Sequence, residues 1–229
     1  FASTEDAKKN LLKENIPESW IFVTGNTALD AVRLVSAGKD FGAKWENYFN
    51  EKYGMEFSGE KKIILVTAHR RENFEEGLKN ICEALIEISK KRPDILFVYP
   101  VHPNPNVRET VFKMLRGAPG ILLTEPLDYK PFLFLMGKAH IILSDSGGIQ
   151  EEVSLMGKPI LVLRKTTERP EAVAAGNAML VGAEKSAIIR ETFWLLDEPA
   201  HYASMAKKHG AFGDGFAAEK ITEALNNFF

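Results

Sequence analysis

From Lys61 onward the chain alternates short, almost unbroken apolar runs with longer stretches whose apolar residues recur at helical spacing. KIILVTAH (62–69), ILFVYPVH (95–102), GILLTEP (120–126), HIILSD (140–145) and PILVLR (159–164) have the continuous aliphatic character of strands covered on both faces. The segment after the first, EEGLKNICEALIEISKK, places Leu78, Ile81, Cys82, Leu85 and Ile88 on one face of a helix. NVRETVFKML, YKPFLFLMGKA and IQEEVSLMG predict the next helices, AMLVGA (178–183) a late strand, and 184–197 and 216–229 two closing helices. Before Lys61 the pattern predicts a short helix capped by Ser3 or Thr4 and ended by Pro17. A strand at WIFVTG (20–25) and a helix opened by Asn26 or Thr27 follow, with a connecting helix and loops over 36–60.

Strand–helix alternation of this kind predicts an α/β fold, a doubly wound parallel Rossmann-like sheet with helices on both faces. Ligands of such sheets bind outside the carboxyl ends of the strands. That rule selects the loops 67–73, 101–106, 124–132, 144–152 and 164–170 as the places to look for chemistry.

Composition narrows the ligand. Over 229 residues, 45% hydrophobic and 26% charged, a sizeable core is available. Lys and Arg total 29 against 31 acids, a net charge of −2, so no strong field draws the chain to nucleic acid or to an anionic membrane surface. No apolar run approaches the ~20 residues of a membrane span. The single Cys82 excludes an internal disulfide and a cysteine-based metal cluster; in its helical phase it reads as a buried thiol of a protein in a reducing cytosol. No pair of His or acidic residues has metal-ligand spacing, and metal and cofactor are both expected to be absent.

Against that near-neutral background the selected loops are rich in functional groups. HRREN follows the first of the apolar strands, HPNPN the second, DSGGIQEE the fourth and KTTERPE the fifth. Cations gathered at one sheet edge predict an anionic ligand. Ser146, Gly147 and Gly148 read as a strand-to-helix turn, with glycines that permit positive φ and leave the backbone open to a ligand. The free N–H groups of a helix start and the Ser146 hydroxyl suit a phosphate. Glu151 and Glu152, one turn in, are placed to accept ribose hydroxyls. G-x-G-x-x-G and G-K-[ST] are both absent, so this is neither the dinucleotide fingerprint nor a P-loop. A Gly-Gly turn serving helix packing alone is the competing reading. Tyr129 and Phe132 offer aromatic faces for a base or for the core. His69, beside Arg70 and Arg71, is a candidate general acid, general base or phosphate donor. His102 has a similar address, with loop capping as its alternative role. His140, His201 and His209 are expected at the surface.

Taken together, VTAHRREN, YPVHPNPNVRE, DSGGIQEE, GKPILVLRKTTERPEAVAAG and the late GDG (213–215) resemble the non-hydrolysing UDP-N-acetylglucosamine 2-epimerases, from Phe1 to about Leu225. The resemblance implies the C-terminal half of a GT-B-like two-domain architecture. Residues 1–40 would be closing elements of an N-terminal Rossmann-like domain absent from this chain, 41–205 the UDP-binding domain, and 206–229 a helix crossing back. It implies interconversion of UDP-N-acetylglucosamine and UDP-N-acetylmannosamine through UDP elimination and a 2-acetamidoglucal, without cofactor. UDP and the UDP-N-acetylhexosamines would be the ligands, a homodimer the state of the full-length enzyme and the cytoplasm its location. By the same resemblance Ser146, Gly147 and Gly148 hold the diphosphate, Glu152 the ribose and Phe132 lines the uracil pocket. His69 and Arg169 stand near the reacting sugar-phosphate, while Arg70 and His102 belong to a regulatory substrate site in some members. Ser3 and Leu127 depart from the family pattern, which puts a side-chain contact at 127 in doubt. The carboxylates that move the C2 proton would lie in the N-terminal domain, so this chain alone is expected to bind UDP weakly and to be inactive. A GT-B glycosyltransferase and a non-catalytic nucleotide-sugar-binding module are the alternatives.

Overall fold

The computed structural model of the chain describes residues 1–57, 59 and 61–228. Among these, six strands form one parallel sheet: β1 (Lys62–Thr67), β2 (Ile95–Pro100), β3 (Ile121–Thr124), β4 (Ile141–Ser144), β5 (Ile160–Val162) and β6 (Ala178–Leu180). Their order is β3-β2-β1-β4-β5-β6. β1 pairs with β2 in the register Ile64↔Phe97 and with β4 in the register Leu65↔Ile142.

The helices are α1 (Glu5–Lys13), α2 (Thr27–Ser36), α3 (Phe41–Tyr53), α4 (Glu76–Lys91), α5 (Pro105–Leu115) and α6 (Tyr129–Lys138), then α7 (Gly147–Glu152), α8 (Pro170–Ala175), α9 (Lys185–Asp197), α10 (Pro199–Met205) and α11 (Ala217–Phe228). Because side chains of a strand alternate between faces, each strand feeds two cores. Ile64 and Val66 point into one with Leu78, Ile81 and Leu85 of α4 and Ile188 of α9. Ile63 and Leu65 point into the other, with Leu29 and Val32 of α2, Phe49 of α3 and Leu133 of α6. Cys82 is wholly buried in the first core, and burial pushes its thiol up to about 12. The three-layer arrangement is the predicted doubly wound sheet, and every strand from 62 onward falls inside its predicted run.

The caps also follow the sequence. Thr4 accepts from the Ala7 amide at the start of α1, and Asn26 from the Ala28 amide at the start of α2. α1 stops at Lys13, before Pro17, because Asn15 turns the chain with φ 63°.

Two expectations fail, and two short helices are additional. WIFVTG (20–25) forms no strand. Residues Glu18–Trp20 make one 3₁₀ turn, and only Val23 bridges to Ala2, through Ala2 N–H to Phe22 O (2.8 Å) and Thr24 N–H to Ala2 O (3.0 Å). With partners along one short edge, no ladder extends. The short helices α8 and α10, each opened by a proline, were not predicted. Finally, His140, His201 and His209 are half-buried rather than surface residues. His140 stacks on Tyr202 at 4.1 Å and His201 on Trp194 at 3.6 Å between ring centres. His209 Nε2 lies 2.8 Å from Asn177 Oδ1. Burial, with Lys62 and Lys158 adding to it, pushes the His140 imidazole down to about 4.

Two glycines deserve mention for close approach. Gly25 (φ 90°) and Gly213 (φ 108°) cross so tightly that a Cβ on Gly213 would lie 2.9 Å from the Gly25 Cα. Asn26 N–H donates to Phe212 O at this crossing, and Asp30 accepts from the Ala217 and Ala218 amides that open α11.

Candidate functional site

The strand order reverses between β1 and β4, so the loops leaving these two strands diverge and open a crevice at their carboxyl ends. HRREN forms one wall and DSGG the other. The strand ends are tied together by Thr67 Oγ1 and Ser144 Oγ, 2.8 Å apart.

Asp145, the next residue, is fully buried. Its Oδ2 accepts from the backbone amides of His69 (2.8 Å) and Arg70 (2.8 Å) and from Asn73 Nδ2 (3.0 Å). Asn73 also donates to Leu163 O, which carries the link on to the end of β5. Oδ1 of Asp145 makes no hydrogen bond and lies 3.5 Å from His69 Nδ1. The His69 ring stacks on His102, 5.0 Å between centres and 15° from parallel. Burial lowers the His69 imidazole below its ordinary value; Asp145 opposes this, and His102 and Arg70 reinforce it. His102 does cap its loop, accepting from the Asn104 amide at Nδ1 (3.2 Å), as well as standing beside His69.

The opposite wall is α7. Gly147 and Gly148 occupy its first two positions with no positive φ, so turn conformation does not require them, a correction of the sequence reading. The Ser146 amide is also not free: it donates to Ser144 Oγ at 3.0 Å. The amides of Gly147 and Gly148 and the Ser146 hydroxyl have no partner among the described residues, which leaves them to a ligand. A Cβ built on Gly147 would sit 3.9 Å from both Arg169 Cζ and Arg70 Nη2, and one built on Gly148 would meet nothing within 4 Å. Two guanidiniums from different loops therefore converge over the first glycine.

Their settings differ. Arg70 is exposed and makes no ion pair among the described residues. Arg169 donates through Nε to Glu151 Oε1, and Glu151 Oε2 accepts from Asn26 Nδ2 at 2.7 Å. Glu151 is thereby spent on holding an arginine. Glu152 carries no ion pair among the described residues, and burial raises its carboxyl to about 7, with the Tyr129 hydroxyl opposing and the Glu151 charge adding. Of the two acids, Glu152 is the one left to meet a ligand. Phe132 sits in the first turn of α6, half-buried against the second core, on the helix that carries Tyr129.

The supports of these loops were not foreseen. Arg164, nearly buried, holds Glu72 of HRREN and Glu168 of KTTERPE, and its guanidinium takes Glu168 down to about 2. Gln150 accepts from Thr167 Oγ1 (2.7 Å) and donates to Ser146 O (3.2 Å), tying the β5 loop to α7. The one legible signal for Asp145 was a charged residue closing an apolar strand.

The rim therefore offers two free glycine amides, a hydroxyl, two guanidiniums and an imidazole at one end of α7, and one turn on a carboxyl beside the Tyr129 hydroxyl and without an ion pair among the described residues. Such an edge suits a diphosphate joined to a polyol. A cavity of about 480 Å³ nearby carries four acids, Glu72, Glu75, Glu76 and Glu184, against the two cations Arg164 and Lys165, and suits an anion less well. No group of three His, Cys, Asp or Glu able to hold a metal ion occurs among the described residues, and no helix there is long and apolar enough to cross a membrane.

The family model for UDP-N-acetylglucosamine 2-epimerase matches residues 1–226. The chain belongs to that family. It is 47% identical over 227 residues to the UDP-N-acetylglucosamine 2-epimerase of Escherichia coli K12, covering 99% of this chain and 60% of that protein. The fold is similar to that of the Neisseria meningitidis UDP-GlcNAc 2-epimerase crystallised with UDP-GlcNAc (TM-score 0.93, 46% identity, 99% of this chain and 61% of that one). It is similar also to the Methanocaldococcus jannaschii enzyme in complex with UDP-GlcNAc and UDP (TM-score 0.79, 34% identity, 99% and 60%). The chain thus spans about three-fifths of the length of these relatives. The α/β, GT-B-like character of the sheet agrees with these neighbours.

Proposed function

We propose that this chain is the UDP-binding half of a UDP-N-acetylglucosamine 2-epimerase. The observation that carries the reading is the convergence of Arg70 and Arg169 over Gly147, beside unpaired amides at the start of α7. In this reading Ser146, Gly147 and Gly148 hold the diphosphate, and Arg169 neutralises it. Glu152 accepts the ribose hydroxyls, Phe132 borders the uracil, and His69 stands at the sugar-phosphate end. Arg70 and His102, side by side with His69, are the residues a second nucleotide-sugar would touch. Neutralisation by Arg169 and amide donation both strengthen as the β-phosphate gains charge on leaving, which favours breaking the bond to C1 of the sugar.

Epimerisation at C2 also needs a group that removes and returns a proton. Among the described residues at the rim, Asp145 and Glu151 are engaged by donors, Glu72 and Glu168 are held by Arg164, and Glu152 lies one turn along α7. The reading therefore assigns that step to carboxylates of a facing domain, with residues 1–40 as its closing elements, 41–205 as the nucleotide domain and 206–229 as the returning helix. Exposed Trp20, Phe22 and Val23 support an apolar contact there. A cytoplasmic, homodimeric full-length enzyme belongs to the same proposal. Calorimetry with UDP, alongside proton NMR of UDP-N-acetylglucosamine incubated with the 229-residue chain, tests it. Binding without formation of the C2 epimer is expected. Absence of any UDP binding at millimolar nucleotide would sink the reading.

A further inference from the structure

We infer that Asp145 is a positioning residue which fixes the His69 imidazole as its Nδ1–H tautomer and so presents Nε2 to the crevice. The inference rests on the nucleotide reading above for its purpose, though not for its geometry.

Asp145 sits at the end of β4 and has two separable tasks. Oδ2 is saturated by three donors, two of them the backbone amides of His69 and Arg70, so it shapes the turn that carries both side chains. Oδ1 is the exception in an otherwise satisfied, fully buried carboxylate: it has no hydrogen bond and faces His69 Nδ1 at 3.5 Å. A buried acceptor without a partner is unfavourable, so a small closing movement of the ring that makes this bond is favoured. A carboxylate oxygen can only accept, which requires the proton of a neutral imidazole to sit on Nδ1. Nε2, at the other side of the ring, is then the nitrogen with a free lone pair.

The surroundings also favour a neutral ring. Burial disfavours the imidazolium, Asp145 opposes that, and His102 stacked on the ring and Arg70 beside it reinforce it. An arriving diphosphate changes that balance. Nε2 then takes up a proton from bulk solvent, and the imidazolium N–H hydrogen-bonds to a phosphate oxygen while Asp145 steadies the cation from behind. When the phosphate leaves, Nε2 releases that proton to solvent. Asp145 touches no ligand; it acts through His69.

Asp145→Asn tests this in the chain as it stands. The carboxamide oxygen can keep the two amides, while its NH₂ group turns to Nδ1 and donates, which demands the opposite tautomer. Long-range ¹H–¹⁵N correlation spectra of the histidine rings, recorded without ligand above pH 7, should show His69 as Nδ1–H in the parent and Nε2–H in the variant. UDP affinity should fall at least about tenfold in the variant. An Nε2–H ring in the parent, or a tautomer that Asp145→Asn leaves unchanged, overturns the inference. The parent spectrum alone decides the matter if the variant does not fold. Since the tautomer is read with no nucleotide present, failure to bind UDP would count against the nucleotide site alone.

Discussion

Replacing Gly148 or Gly147 by alanine separates access from architecture. Both glycines lie in the helical region, at the first two positions of α7. A Cβ on Gly148 would meet nothing within 4 Å, and one on Gly147 would make ordinary contacts of 3.9 Å with the two guanidiniums. Neither methyl strains the empty protein. Alanine in a helix is favoured over glycine by about 0.5–1 kcal/mol. For a chain of this size that corresponds to a rise in Tm of roughly 1–4 °C per substitution. The ligand sees the opposite effect. A methyl over these amides holds a phosphate oxygen away from one charge-assisted hydrogen bond, worth about 1.5–3 kcal/mol, so Kd for UDP should rise roughly 10- to 150-fold. Differential scanning calorimetry and titration calorimetry on the same preparations read both quantities. Stabilised variants that bind UDP as tightly as the parent would refute the argument, because the glycines would then serve helix packing alone.

Other substitutions probe the two acids and the arginine. Glu152 has a carboxyl raised to about 7 in the folded protein against an ordinary 4.5, so its neutral form is favoured on folding. Its contribution to stability is therefore complete below pH 4.5 and lost as pH rises through 7. Ribose hydroxyls need the ionised form, so the Glu152 contribution to UDP affinity should grow between pH 6 and 8. Glu152→Gln should weaken UDP roughly tenfold or more at pH 8 and flatten that rise; a parent-like pH profile in the variant would exclude Glu152 as the ribose acceptor. Arg169→Ala leaves Glu151 buried with Asn26 as its remaining partner. Removing one member of a buried pair costs about 3–5 kcal/mol, and the partly exposed Arg169 places this case near the lower value, a fall in Tm of about 6–12 °C. Adding Glu151→Gln should recover most of that stability but none of the UDP binding; recovery of both would assign Arg169 a structural role only.

The sheet was legible because its central strands β1, β4 and β5 are buried on both faces and so carry unbroken aliphatic runs, from Ile63–Val66 to Ile160–Leu163. The caps of α1 and α2 were legible because Thr4 and Asn26 act on amides two or three residues away. The loops announced themselves by charge. What escaped was whatever depends on residues far apart in sequence. The strand expected at 20–25 has suitable residues but only Ala2 to pair with. Asp145 reads only as the charged end of the strand at 140–145, and its work is done on a loop 75 and 76 residues upstream. Glu151 and Glu152 are chemically identical in the sequence; Arg169 and Asn26 make one structural and leave the other free. Three histidines expected in solvent lie half-covered, two of them by Trp194 and Tyr202, rings that only the tertiary packing of α9 and α10 brings over them.

Asn26 ends up with two employers. Its carbonyl oxygen starts α2, and its amide nitrogen grips Glu151, which in turn steadies the guanidinium above Gly147. Tension applied to the first forty residues has a route of three side chains to the Gly147 end of the crevice. A displacement of α2 that withdrew this carboxamide would leave Glu151 leaning on Arg169 alone, drawing the arginine toward the acid and away from whatever anion it had been serving.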